Sequence, residues 1–130
     1  MTILVEFHSN QFPPDAGEEA QINPGLWGKR LAEYLQASLP RYGIAVHGIS
    51  PEDWGWMVEL ENPDFPLWIG CGHQDGEDRE FLCFIEPSQP FVRKWFKKIG
   101  TRDHVNRVAA ALETLLKSDA EIHAIRWSGR

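Results

Sequence analysis

The sequence is short of cysteine, methionine and tyrosine, with two of each in 130 residues, and short of positive charge, with 13 Lys and Arg against 19 Asp and Glu. Two thiols are too few for a disulfide framework, so Cys71 and Cys83 are expected to be reduced. No apolar run approaches the roughly 18 residues that would span a bilayer. Met1-Thr2-Ile3-Leu4-Val5-Glu6 lacks the basic stretch, apolar stretch and small-residue cleavage site of a secretory signal. These absences lead to the expectation of a cytoplasmic protein with no membrane association. The net charge of −6 argues against a general nucleic-acid binder, which carries a basic field over much of its surface.

Aromatic residues are plentiful: six Trp and seven Phe supply large areas for burial. The length suits a single domain over residues 1–130 that folds without a cofactor. Charge is unevenly placed. Between Arg93 and Arg107 six cations face one acid, Asp103, giving +5, while the other seven cations and 18 acids leave the rest at −11.

Alternation of Ile3, Val5 and Phe7 with Leu4, Glu6 and His8 predicts a half-buried strand over 2–8. Residues 9–21, with Pro13-Pro14, Gly17 and little apolar content, read as an exposed loop. Asn23-Pro24 is a good cap and first-turn pair for a helix carrying Trp27, Leu31, Tyr34, Leu35 and Leu39 on one stripe, stopped by Pro40 and Gly43. Strands are expected over 44–49, 54–60, 67–72 and 80–86. Ser50-Pro51-Glu52-Asp53 should form one connecting turn, and the Asp75-Gly76 dipeptide a tight hairpin that places Cys71 and Cys83 on opposite faces. Phe91, Val92, Trp95, Phe96 and Ile99 fit a short helix. Thr101 or Asp103 would cap a longer helix with an unbroken stripe from Val105 to Leu116, and 122–127 alternates as a last strand.

The order β-α-β-β-β-β-(α)-α-β implies an α+β, two-layer fold: an antiparallel meander with two long helices packed on one face. Trp54 and Trp56 would then both lie under the helices.

Four places invite chemistry. Cys71 and His73, with Cys83 one strand away, hold thiol and imidazole ligand types, but not at the spacing of a zinc hook, so no metal is expected. Cys71 with a histidine as base is the hydrolase or transferase reading, though a nucleophilic thiol needs a nearby cation and Asp75, Glu77 and Asp78 are acidic. Glu52 and Asp53 beside Trp54 and Trp56 could receive a cationic ligand, or form a turn above core indoles. The cations Arg93, Lys94, Lys97, Lys98 and Arg102, interleaved with aromatics, suit an acidic protein partner or, as a weaker alternative, single-stranded nucleic acid. His8, His47, His104 and His123 show no ligand spacing. Gly25-Leu26-Trp27-Gly28-Lys29 lacks the length and the hydroxyl residue of a phosphate-binding loop.

Asn23-Pro24-Gly25 through Gly28-Lys29, Pro51-Glu52-Asp53-Trp54-Gly55-Trp56 and Trp68-Ile69-Gly70-Cys71-Gly72 together resemble a group of small uncharacterised bacterial proteins. The resemblance covers the middle third of the chain and implies a bacterial cytosolic origin, with no activity attached. A non-enzymatic binding module with a protein partner is the leading expectation.

Overall fold

The computed structural model describes residues 2–22, 26–73 and 79–130. In chain order the elements are β1 (Ile3–Ser9), α1 (Lys29–Ser38), β2 (Val46–Glu52), β3 (Gly55–Leu60), β4 (Leu67–His73), β5 (Glu80–Glu86), β6 (Phe91–Lys94), β7 (Lys97–Gly100), α2 (Arg102–Ser118) and β8 (Ile122–Ser128). Six strands form one sheet in the order β2-β3-β4-β5-β1-β8, with every pairing antiparallel, and β6-β7 is a separate hairpin.

The α+β class and the meander follow the sequence pattern. Strands of period two bury alternate residues, so Val5, Phe7, Val58, Ile69, Phe81 and Ile85 line one sheet face. Against that face lie Leu31 and Leu35 of α1, over β2, β3 and β4, and Leu112 and Leu116 of α2, over β5 and β8. Among the described residues the other face carries no helix, an arrangement antiparallel sheets tolerate. Among the described residues no helix is long and apolar enough to cross a membrane.

Several local features add to the sequence expectations or correct them. The 9–21 segment is exposed at Asn10, Pro13, Pro14, Ala16, Gly17, Ala20 and Gln21 and is anchored between these positions. Phe12 is buried edge-on against Tyr34 and Phe81, at 5.1 and 5.5 Å between ring centroids. The Gln11 amide donates to Asp119 Oδ1 at 3.0 Å. Glu18, inside a short 3-10 turn (Glu18–Ala20), is 1% exposed. One apolar anchor and one capping carboxylate hold this segment, and a composition average registers neither.

Helix α1 begins at Lys29 with Gly28 as N-cap, later than the sequence suggests. Its terminal N–H groups are satisfied from outside the helix: Gly28 and Lys29 donate to Glu18 Oε2 at 2.6 and 2.8 Å. The Asn23-Pro24-Gly25 cap and the Asp75-Gly76 turn lie outside the described residues. The end of α1 agrees with its Pro40-Gly43 signal, continuing as a 3-10 turn (Leu39–Tyr42) capped by Gly43 at φ 82°.

Strand β2 runs on through Pro51 to Glu52, so the turn sits at Asp53-Trp54 rather than Ser50–Asp53. Pro51 is accommodated because β2 is an edge strand. The β4–β5 register pairs Cys71 with Cys83 directly, which puts both thiols on the core face. A two-residue turn at Asp75-Gly76 would displace this register by three, an odd number, and the side-chain faces invert accordingly. In β8 the alternation breaks at a bulge opposite Glu6 and His8, where Ala124 holds φ 53°. Ile122 therefore faces the core before the bulge, and Ile125 and Trp127 after it.

The segment read as a short helix is the β6-β7 hairpin. Its apolar residues mimic helical spacing because each arm contributes one inward residue: Val92 and Ile99 are register partners, both packed against the core.

Candidate functional site

Three of the strings singled out in the sequence converge behind the end of β4. Ideal Cβ atoms on Gly28 and Gly55 would come within 2.9 and 2.3 Å of the Cys71 carbonyl oxygen, so both glycines press bare backbone against this one peptide group. Gly55 also holds φ 155°, in the range that favours glycine. His73 is buried and lies flat on Trp27, with centroids 3.5 Å apart, and its Nδ1 accepts from the Trp27 backbone N–H at 3.3 Å. Beside Trp27 is a cavity of about 310 Å³, also lined by Asn10, Phe12 and Arg79.

This convergence is structural in its chemistry. Glu18 occupies the α1 N-terminus where an external anion would otherwise bind, its other oxygen accepting from Asp15 N–H at 3.0 Å. Asp15 in turn pairs with Arg30 at 2.7 Å and Lys29 at 3.6 Å. Cys71 is fully buried, and burial first, then the hydrogen-bonded thiol of Cys83, pushes its pKa well above the ordinary value. That direction opposes thiolate formation, the requirement for a cysteine nucleophile. Among the described residues no group of three or more His, Cys, Asp and Glu is gathered to hold a metal ion.

The Glu52-Asp53-Trp54-Trp56 string is divided between the two sides of the sheet. Trp56 is in the core as expected, with Lys29 Nζ 5.6 Å from its ring. Trp54 is not under the helices. The turn carries it onto the open face, 37% exposed, where it stacks on Trp68 at 5.7 Å and meets Phe84 at 5.1 Å. Phe84 lies across Gly70, where a Cβ would stand 2.2 Å from its ring, so this glycine makes room for the aromatic trio. Glu52 and Glu59 flank the trio on the same side as the register partners Gly55 and Trp68, and Glu86 is the partner of Trp68 on β5.

The hairpin gathers four of the five basic candidates. Lys94 faces Lys97 and Arg93 faces Lys98 across the ladder. Lys94 Nζ donates to Pro63 O at 3.0 Å and Lys98 sits 4.1 Å over the Phe91 ring. Among the described residues no carboxylate pairs with any of them, nor with Arg102, which opens α2 at the hairpin's base. At the tip stand Trp95, 88% exposed, and Phe96, 100% exposed, with Phe91 half-exposed behind them. Sequence reasoning missed both tip residues by assigning them to a buried helical stripe. No local signal separates the two readings, because the apolar stripe of an amphipathic helix is also flanked by charged residues.

No protein-family model, curated protein or solved structure matches this chain.

Proposed function

We propose that this chain is a non-enzymatic binding module whose recognition element is the β6-β7 hairpin, and that its partner is a protein presenting an apolar pocket rimmed by carboxylates. The observation that carries this reading is the tip itself. Trp95 holds φ 61°, the left-handed conformation that a two-residue hairpin loop ordinarily gives to glycine. For a residue with a Cβ that conformation costs about 1–2 kcal/mol.

Two further features oppose stability at the same place. Cationic residues face each other directly across both ladder positions nearest the tip, where like charges are unfavourable. Two large aromatic side chains stand in water in a protein that buries the rest of its Phe residues at least partly. A segment that departs from local rules three times within six residues has the character of one shaped by binding. Trp is also among the residues enriched at binding hot spots. The −11 carried by the remainder favours a folded acidic surface with a local pocket over a long polyanion, which the whole molecule would repel.

Affinity capture from the cells of origin, with wild-type and Trp95→Ser/Phe96→Ser baits in parallel, tests this. A protein held by the wild type, released by salt and absent with the variant is expected, and the purified pair should then bind about 30-fold more weakly when Trp95 alone is removed. Equal retention by both baits would sink the reading, and salt-sensitive retardation of single-stranded RNA by the wild type would replace it.

A further inference from the structure

We infer that the acidic, apolar-centred surface that the hairpin fits is present on the chain itself, so that two copies pair by laying each hairpin on the open sheet face of the other. This rests on the hairpin being the recognition element and names its partner.

The open face has the anatomy of a receiving surface. Its centre is the Trp54, Trp68 and Phe84 cluster, only partly buried because among the described residues no helix covers this side. Its rim carries Glu52, Glu59 and Glu86, and among the described residues none of these is paired with a cation. An apolar centre ringed by charge is the usual arrangement at a protein interface. The hairpin is its complement, with two aromatic side chains at the tip and Lys94 and Lys97 beside them.

Area favours reciprocal pairing over a single contact. Two aromatic side chains offer about 300–500 Å² together. One hairpin on one face removes about twice that from water, below the ~1,200 Å² of a stable interface, whereas two hairpins on two faces reach about 1,200–2,000 Å². Reciprocal exchange is also the closed two-fold arrangement, which ends at a dimer and leaves no unfilled site.

Sedimentation velocity and light scattering on the full chain at ~10 μM and above, in low and high salt, test the inference. A dimer of the 14.9 kDa chain is expected, dissociating as salt rises. Trp95→Ser/Phe96→Ser should be a monomer, as should Lys94→Glu/Lys97→Glu and Glu52→Lys/Glu59→Lys alone. Mixing the last two variants should restore the dimer, because every hairpin then meets a face of opposite charge. Unchanged far-UV circular dichroism would show that each variant is folded.

A wild type that remains at 14.9 kDa overturns the inference while leaving the hairpin reading to its own capture test. A dimer that persists in the Trp95→Ser/Phe96→Ser variant overturns it too. So does a monomer whose tip binds vesicles of phosphatidylcholine with phosphatidylserine.

Discussion

The imidazole of His73 stacks on the indole of Trp27 with their planes 24° apart, and the same imidazole accepts the Trp27 backbone N–H. One side chain at the end of β4 thereby fixes both the ring and the main chain of the segment leading into α1. His73→Ala should leave that N–H without its acceptor and open a cavity under the indole. We expect a loss of about 2–4 kcal/mol in urea unfolding, accompanied by a change in tryptophan fluorescence of the native state.

Glu18 caps α1 from 10 residues upstream of Gly28, with bonds to Gly28, Lys29 and Asp15 N–H groups. Hydrogen bonds to a charged acceptor contribute more than neutral ones, so Glu18→Ala should destabilise by about 2–4 kcal/mol and Glu18→Gln by roughly half of that. Equal stability of all three proteins by thermal unfolding would contradict the capping role.

Replacing Trp95 by glycine separates folding from recognition. Glycine accepts φ 61° without strain, so Trp95→Gly should leave stability unchanged or raise it by up to about 1 kcal/mol. Partner binding should fall by about 30-fold in the same protein. A variant weakened in both respects would mean that the tip indole supports the fold.

Acid stability should depend on two carboxylates. Glu80 is held below its ordinary pKa, chiefly by the hydrogen bond from His8 Nδ1 at 3.0 Å, which together with Arg126 outweighs burial. For Asp119 burial acts upward, but bonds from Gln11, the Glu121 N–H and Tyr34 carry the balance below the ordinary value. Groups depressed in the folded state contribute stability that is fully present above the unfolded value near ~4 and lost as pH falls through the folded value. Unfolding free energy should therefore be flat from neutral pH to ~5 and decline below it. Asp119→Asn should make that decline shallower.

Both thiols should be silent in the native protein. Cys71 is fully buried and its pKa is raised, so iodoacetamide should label neither cysteine until the chain unfolds, after which both react. Rapid labelling of Cys71 under native conditions would restore the nucleophile reading.

The β/α order, the meander and the core stripes were legible because period-two and period-3.6 burial dominate the energetics of those elements. What was not legible depends on contacts distant in sequence. The cap on α1 comes from Glu18, which no local rule connects to Gly28. Trp54 continues the alternation of Trp56 and Val58, yet the Asp53-Trp54 turn and Gly55 at φ 155° carry it to the other side of the sheet. Over 91–99 two short arms with a tight turn place Val92 and Ile99 seven residues apart, two helical turns, so a hairpin and an amphipathic helix share one pattern. Of the nominated site residues, those on the hairpin gather in one place, while Trp54 and Trp56 part company and Cys71 and His73 serve the core.

The bare approach of Gly28 and Gly55 to a single peptide oxygen has an architectural consequence. A side chain at either position would collide with that carbonyl, so the peptide after Cys71 keeps its place only while both neighbours stay bare. The room at the end of β4 is thus set by segments that lie 43 and 16 positions before Cys71 along the polypeptide.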